Sequence, residues 1–395
     1  MNSNIINPAV QQFLLEYIND DVNRIALSKS PFADVSSREL AEQLDGKQRV
    51  KKKLPLWFDT PEIVFPPKLS IEQSSSQQTA EYKSKLAKGK RLIDLTGGFG
   101  VDTFFFSKKV DQVTHCEQNT ELSKIAEHNL KMLGAENITF ANHNSLLYLQ
   151  ATDEIFDTLY VDPSRRIQTK KVFLLKDTEP DVVTYLPLFL SKASRIIIKT
   201  SPLFDIQSGL RELSNVSEIH VVSVKNDCKE LLWVIDRDFE GEPEIICAAL
   251  LPASHQTFSF KLSDEKNLEL DSYSDALKYL YEPDVALLKA GCFKTIAERF
   301  QLRKLNTNTH LYTSDNLISD FIGKKFVVNT VLDYRTFVKQ NQVKKANIIS
   351  RNFPHSPEEL KKKHKISDGG DEYLIFTTVF PNTLQVIVST ILSQV

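Results

Sequence analysis

No apolar run in the 395-residue chain reaches about 18 residues, the length a membrane-crossing helix needs, so no membrane span is expected. The N-terminus lacks basic residues followed by an apolar core, the pattern of a secretory leader, and the expected location is the cytoplasm. Cysteine is scarce: Cys116, Cys228, Cys247 and Cys292 lie far apart without C-x-x-C spacing. That argues against a zinc knuckle and a disulfide scaffold, and no metal is expected. Charge of one sign is also missing. With 49 basic and 51 acidic residues the formal net charge is -2, so no global basic field marks a nucleic-acid partner and any basic surface must be local. There is no internal repeat and no long low-complexity tract. What remains, 41% apolar and 25% charged residues, is an ordinary globular composition, long enough for two or three domains.

Apolar positions from Val10 to Ile25 fall at helical spacing and predict a helix over residues 8–28. Ser36 with Glu39 reads as a capping box for a second helix, which runs into "GKQRVKKKLP", a basic cluster of Lys47, Arg49, Lys51, Lys52 and Lys53. A third helix is expected after Ser70, with Gln73 as reciprocal cap. From Arg91 the pattern changes to strands alternating with helices: "RLIDL", "QVTHCE", "NITFAN", "FDTLYVD", "RIIIKT", "EIHVVSV" and "LLWVID". Such alternation predicts a doubly wound, mostly parallel sheet. The last two strands, joined by "KNDCKE", should form an antiparallel hairpin at one end of it. Beyond residue 240 the expectation is a mixed region: strands "EIICAALL" and "TFSFKL", a helix near Asp275–Leu280, then strands around a helix that Ser356, Pro357 and Glu359 initiate.

In "IDLTGGFGVD" a strand ends in Asp94 and turns through Gly97, Gly98 and Gly100 into a helix. Glycines let the backbone take positive φ and approach a ligand. The third glycine of a dinucleotide fingerprint would fall at 103, which is threonine. Asp94 would repel a pyrophosphate and suits an ammonium, and Glu117, at the end of the second strand, can take both ribose hydroxyls. S-adenosylmethionine has an amine, a ribose and no phosphate. Asn144, just beyond the third strand, could bond its adenine amine. A purely structural role for Asp94, as a helix cap, stays open; His115 and Cys116 read as packing residues.

"VDPSRR" closes the fourth strand. Ligands of doubly wound sheets sit at the strands' carboxyl ends, so Asp162 would face the methyl donor. Its carboxylate and the carbonyl of Pro163 could accept two hydrogen bonds from an amine on a planar base and aim the nitrogen at the methyl group. The alternative is a salt bridge between Asp162 and a neighbouring arginine. Arg165 and Arg166 follow in the same turn, where an arginine plane can stack on a base or hold a phosphate.

These motifs resemble the class I S-adenosylmethionine-dependent methyltransferases, over Gln73 to Asp236. The resemblance implies a Rossmann-like core with a seven-stranded sheet. It also implies a donor site at Asp94, Gly97, Gly98, Gly100 and Glu117, with Asn144 near the adenine and Asp162 at the methyl-transfer position. "EQSSSQQTAEYK", "VDPSRR", "NDCKELL", "YEPD", "NTHLYTSD" and the tail from Lys344 further resemble a bacterial branch with ferredoxin-like and C-terminal THUMP-like domains. The division expected is 1–70 helical, 71–240 methyltransferase, 241–335 ferredoxin-like and 336–395 THUMP-like. THUMP domains accompany RNA-modifying enzymes, so the implied substrate is RNA (rRNA or tRNA) and the implied chemistry base N-methylation. The loop "TSPLFD" has no cysteine nucleophile for pyrimidine carbon methylation. Ribose 2′-O methylation through Lys83, Asp162, Lys199 and Glu230 is an alternative, with Lys199 otherwise a snorkelling strand-end lysine. The same residues would also serve a methyltransferase of proteins or small molecules, or an inactive RNA-binding adaptor. "KQRVKKK" and "KKKHK" (Lys361 to Lys365) are local basic runs that could meet phosphates.

Overall fold

The structure, a computed structural model, describes residues 2–165, 174–252, 254–270 and 273–393, apart from the side chains of Arg165 and Ser393. Six helices open the chain: α1 Pro8–Glu16, α2 Val22–Leu27, α3 Ser37–Lys53, α4 Pro55–Asp59, α5 Lys68–Gln73 and α6 Gln77–Ser84. The capping box at Ser36 forms as expected. The single helix over 8–28 does not. The run Asn19-Asp20-Asp21 breaks it, and Asp21 caps α2 through Asn23 N, because short Asx side chains compete with the helical backbone. The third helix also starts elsewhere: α5 begins directly after Pro67, and Ser76 with Thr79, not Ser70 with Gln73, makes the capping box, for α6.

Strands and helices then alternate: β1 Arg91–Asp94, α7 Val101–Ser107, β2 Gln112–Cys116, α8 Thr120–Met132, β3 Ile138–Ala141, α9 Ser145–Ala151 and β4 Phe156–Val161. The two-residue strands β5 Ser164–Arg165 and β6 Thr178–Glu179 pair with each other. After them come α10 Leu186–Lys192, β7 Ala193–Thr200, α11 Ile206–Glu212, β8 Val216–Val224, β9 Asp227–Asp236, β10 Glu244–Leu250 and β11 His255–Phe260. The sheet has nine strands, ordered β11-β10-β8-β9-β7-β4-β1-β2-β3, rather than the seven expected. It is mixed: β9 runs antiparallel to β7 and β11 antiparallel to β10, while β3, β2, β1, β4 and β7 are parallel, as are β8 and β10. The β8–β9 hairpin is therefore not the sheet's end. Ile219, Val221 and Val222 of β8 and Ile245, Cys247 and Ala248 of β10 are fully buried, and such continuous apolar runs belong inside a sheet.

The chain divides into two compact units, Met1–Ser217 with Leu231–Gly241, and Glu218–Glu230 with Glu242–Val395. In the first, β1 has β2 and β4 as neighbours, which brings the carboxyl ends of the parallel strands to one edge. The N-terminal helices join this unit's core: Leu40, Leu44, Val50 and Trp57 share one buried cluster with Phe99, Phe104, Phe105 and Leu130. Asn129 in α8 completes the attachment. Its buried carboxamide donates to Val64 O at 2.7 Å and accepts from Val64 N at 2.9 Å.

The second unit adds α12 Leu262–Asn267, β12 Tyr279–Pro283, α13 Val285–Ala290, α14 Phe293–Arg299, β13 Arg303–Asn306, β14 Thr309–Ser314, β15 Gly323–Asp333, α15 Tyr334–Gln340, β16 Asn347–Arg351, α16 Pro357–His364, β17 Glu372–Val379 and β18 Thr383–Ser393. Its seven-stranded sheet runs β13-β14-β12-β15-β18-β17-β16. The expected helix near Asp275–Leu280 is absent. Tyr279 to Pro283 form an interior strand between β14 and β15, where Leu280 and Tyr281 are fully buried. Tertiary pairing outweighs the helical pattern there.

Among the described residues no helix is long and apolar enough to cross a membrane. Replacing Asn129 by Ala leaves a buried N–H and a buried carbonyl unpaired. We expect a loss of about 2–4 kcal/mol in urea unfolding; a loss under about 1 kcal/mol would mean that Val64 finds other partners.

Candidate active site

The glycine turn is set by close contacts as well as by φ. Gly98 and Gly100 take φ of +55° and +84°. Gly97 is fixed by a neighbour: a Cβ there would lie 2.1 Å from the His115 ring. Gly97 N donates to Cys116 O at 2.9 Å, which ties the turn to the end of β2.

Asp94 is buried beneath this turn. Its Oδ1 accepts from Thr96 N at 3.0 Å and its Oδ2 from Thr103 Oγ1 at 2.6 Å. Thr103 Oγ1 also lies 3.0 Å from His115 Nδ1. With its own proton on Asp94, the hydroxyl accepts from an Nδ1–H. Burial lowers the pKa of His115 to about 4, so the ring is neutral, and its Nε2 is buried without a partner among the described residues. Threonine at position 103, in place of a third glycine, thus links β1, α7 and β2. Burial raises the Asp94 pKa to about 7, with Asp102 and Asp162 adding repulsion, against the hydrogen bonds from Thr103 and Thr96.

Glu117 lies beside the turn, its Oε2 accepting from Gly98 N at 3.1 Å and its Oε1 from Asn119 N at 2.7 Å. Two amides orient the carboxylate, and each oxygen keeps a further lone pair. Asn144 is exposed; its Oδ1 caps α9 by accepting from Leu146 N and Leu147 N, both at 3.1 Å.

Asp162 follows β4. Its N–H donates to Thr96 Oγ1 at 2.7 Å, so the two turns are pinned together. Its carboxylate pairs with Lys199 of β7, the strand beside β4 in the sheet; a pair with a neighbouring arginine falls on side chains outside the described residues. Lys199 therefore does not simply snorkel. Pro163 is half-buried, and Ser164 and Arg165 enter the β5–β6 ribbon. Arg166 lies outside the described residues, as does the side chain of Arg165.

One cluster escaped the sequence reading. Asp102, the second residue of α7, accepts at Oδ2 from Ser75 Oγ at 2.8 Å and from Tyr160 Oη at 2.9 Å, and its Oδ1 faces Lys83 Nζ at 3.4 Å. Lys83 is fully buried. Burial alone would raise the Asp102 pKa, but Lys83, Lys199 and the two hydroxyls hold it below the usual carboxylate range. An acid in a helix's first turn reads from sequence as a dipole complement, which hid it.

Three aspartates around a glycine turn disfavour a polyphosphate. The oriented Glu117 carboxylate, the side-chain-free Gly97–Gly98 edge and two nearby lysines fit a nucleoside with a zwitterionic tail. Residues 279–321 match a ferredoxin-like domain family and residues 323–390 a THUMP domain-like family. A crystal structure of a candidate methyltransferase from Porphyromonas gingivalis W83 is 33% identical and superposes with a TM-score of 0.89, covering all of both chains. This chain belongs to the S-adenosylmethionine-dependent methyltransferases with ferredoxin-like and THUMP-like domains. A Mycoplasma mobile protein named as an uncharacterised RNA methyltransferase is 28% identical over 98 residues, 25% of this methyltransferase and 27% of the relative.

The methyltransferase's basic runs are partly consumed by its own fold. Lys47 is buried and donates to Phe58 O at 3.0 Å. Arg49 pairs with Asp45 and Glu72, and Lys53 donates to the carbonyls of Ile71 and Glu72. Lys51 and Lys52 are the exposed members. In α16, Lys361 pairs with Asp368 and Lys363 lies over the Tyr334 ring.

The raised pKa of Asp94 has a signed consequence. Between 3.8 and about 7 the folded protein keeps a proton that the unfolded chain releases. The stability this gives is complete at low pH and is lost as pH rises through about 7. Asn cannot titrate. In urea unfolding of the donor-free protein, the stability of wild type relative to Asp94→Asn should fall by a few kcal/mol, to order of magnitude, between about pH 4 and about pH 8. A pH-independent difference would contradict this.

Proposed function

We propose that the methyltransferase acts on RNA and methylates a base nitrogen. The observation that carries the site assignment is the meeting of two turns, Asp94 to Gly100 and Asp162 to Pro163, through the Asp162 N–H to Thr96 hydrogen bond, beside Glu117. The THUMP-like match and the name of the Mycoplasma relative support the RNA assignment. Arg165 and Arg166 are proposed to hold the RNA. The division at residues 70, 240 and 335 goes with this reading, with residues 336–395 proposed to supply RNA affinity.

When bound, S-adenosylmethionine supplies an electrophilic methyl on a sulfonium, and S-adenosylhomocysteine leaves. In this reading the Gly97–Gly98 edge admits the donor's backbone-facing side, Glu117 takes the ribose diol and Asn144 the adenine. Asp162 and the Pro163 carbonyl accept from the target amine and direct its lone pair in line with the methyl. The amine's lone pair is delocalised into the base, so holding both of its N–H groups frees that pair to point at the methyl; as the N–C bond forms and the S–C bond breaks, the nitrogen sheds a proton to Asp162 and from there to solvent.

One observation favours a second reading. Lys199 holds the carboxylate of Asp162, and a lysine beside a carboxylate suits a ribose 2′-hydroxyl, which must lose a proton as it attacks. Lys83 lies at ion-pair distance from Asp102, and the charges of Lys83 and Lys199 both favour the ionised form of that acid. The two readings separate on Lys199→Ala. If the target is a base nitrogen, turnover should fall by less than about tenfold; a hydroxyl target should lose about a hundredfold or more. Nucleoside mass spectrometry of RNA methylated with isotopically labelled donor identifies the product directly, and absence of label from every RNA offered would refute both.

Two further outcomes are expected. Glu117→Ala should weaken donor binding roughly ten- to a hundredfold by calorimetry, the loss of a charge-assisted ribose contact. Asp162→Ala should leave donor affinity nearly intact and lower single-turnover methylation about a hundredfold; full activity in this variant would remove Asp162 from the mechanism.

A further inference from the structure

We infer that Asp102 is the carboxylate that receives the ammonium of the donor's methionine end, with Ser75, Tyr160 and Lys83 as its positioning residues. The inference rests on the donor site proposed above and assigns a residue that the sequence motif does not.

With Glu117 assigned to the ribose and Asp162 paired with Lys199, two carboxylates remain that could meet a cation at the glycine turn. Asp94 has both oxygens engaged by its own loop, through Thr96 N and Thr103 Oγ1. Asp102 differs. Oδ2 is held by two hydroxyls, from Ser75 ahead of α6 and from Tyr160 in β4. Oδ1 is buried and accepts no hydrogen bond from the described residues; Lys83 faces it at ion-pair distance. A buried carboxylate oxygen without a hydrogen bond is costly unless something completes it. Asp102 also lies two residues past Gly100, where α7 begins. The donor's tail is a zwitterion. An ammonium on Oδ1 would leave its carboxylate near Lys83 and Lys199, so both charges meet complements. Asp102 is held ionised by those lysines, whereas Asp94 is not.

The test compares two ligands on the full chain: S-adenosylhomocysteine, which keeps the amino-acid tail, and 5′-methylthioadenosine, which lacks it. In calorimetry Asp102→Asn should weaken S-adenosylhomocysteine about ten- to a hundredfold and change methylthioadenosine by less than about twofold. Unchanged affinity for the first ligand, or equal losses for both in a folded variant, would overturn the assignment. Should Asp102→Asn melt far below wild type, Tyr160→Phe keeps the carboxylate and removes one of its donors. It should cost a few-fold in the same selective sense, and a non-selective loss or none would count against the proposal. Glu117→Ala should weaken both ligands alike. If it weakens neither, the donor site itself is misplaced, an outcome distinct from failure of the Asp102 assignment.

Discussion

The Thr103 hydroxyl is the point on which the site depends. It gives its proton to Asp94 at the end of β1 and meets His115 in β2 from the first turn of α7. Three elements that diverge in sequence are thereby locked around Gly97, whose missing Cβ leaves room for the His115 ring. Asp94 can stay buried because this hydroxyl and the Thr96 amide satisfy it. Thr96 in turn grips the Asp162 amide. Remove the threonine and an acid, an imidazole and two turns lose their common reference. The glycine turn is held rigid by a polar core, and the cost is an aspartate near neutrality.

How much of this was legible depended on distance along the chain. Asp94, the glycines and Glu117 form a local pattern, since consecutive parallel strands repeat at a spacing that short motifs capture. The capping boxes at Ser36 and Ser356 are local in the same way. Ser75 and Tyr160 meet Asp102 across 27 and 58 positions, and nothing in their types foretells that meeting. Lys83 was visible only as a member of a lysine–acid–lysine–glutamate set, and its burial against Asp102 was not. The nine-stranded sheet escaped for a different reason. "EIICAALL" reads as a strand, but no local feature says which edge it will cover.

Basic runs illustrate the opposite error, in which a local pattern promises more than the fold delivers. Lys47 and Lys53 spend their ammonium groups on backbone carbonyls, and Arg49 on two carboxylates. A cluster of charges in sequence becomes a cross-brace among α3, α4 and α5. The electrostatic footprint available to a polyanion is smaller than a count of lysines suggests.

Helix α7 has two working faces. Asp102 and Thr103 look toward the turns, while Phe104 and Phe105 lie against Trp57 of α4, with ring centroids 5.3 and 6.2 Å away. With only seven residues the helix is too short to bend between them, so it transmits as a rigid lever. Repacking around Trp57 must tilt the carboxylate and hydroxyl on the other side. Helix α4, which carries no residue of the proposed site, is therefore coupled to the pocket through Trp57, and variation around that ring would register as altered donor discrimination.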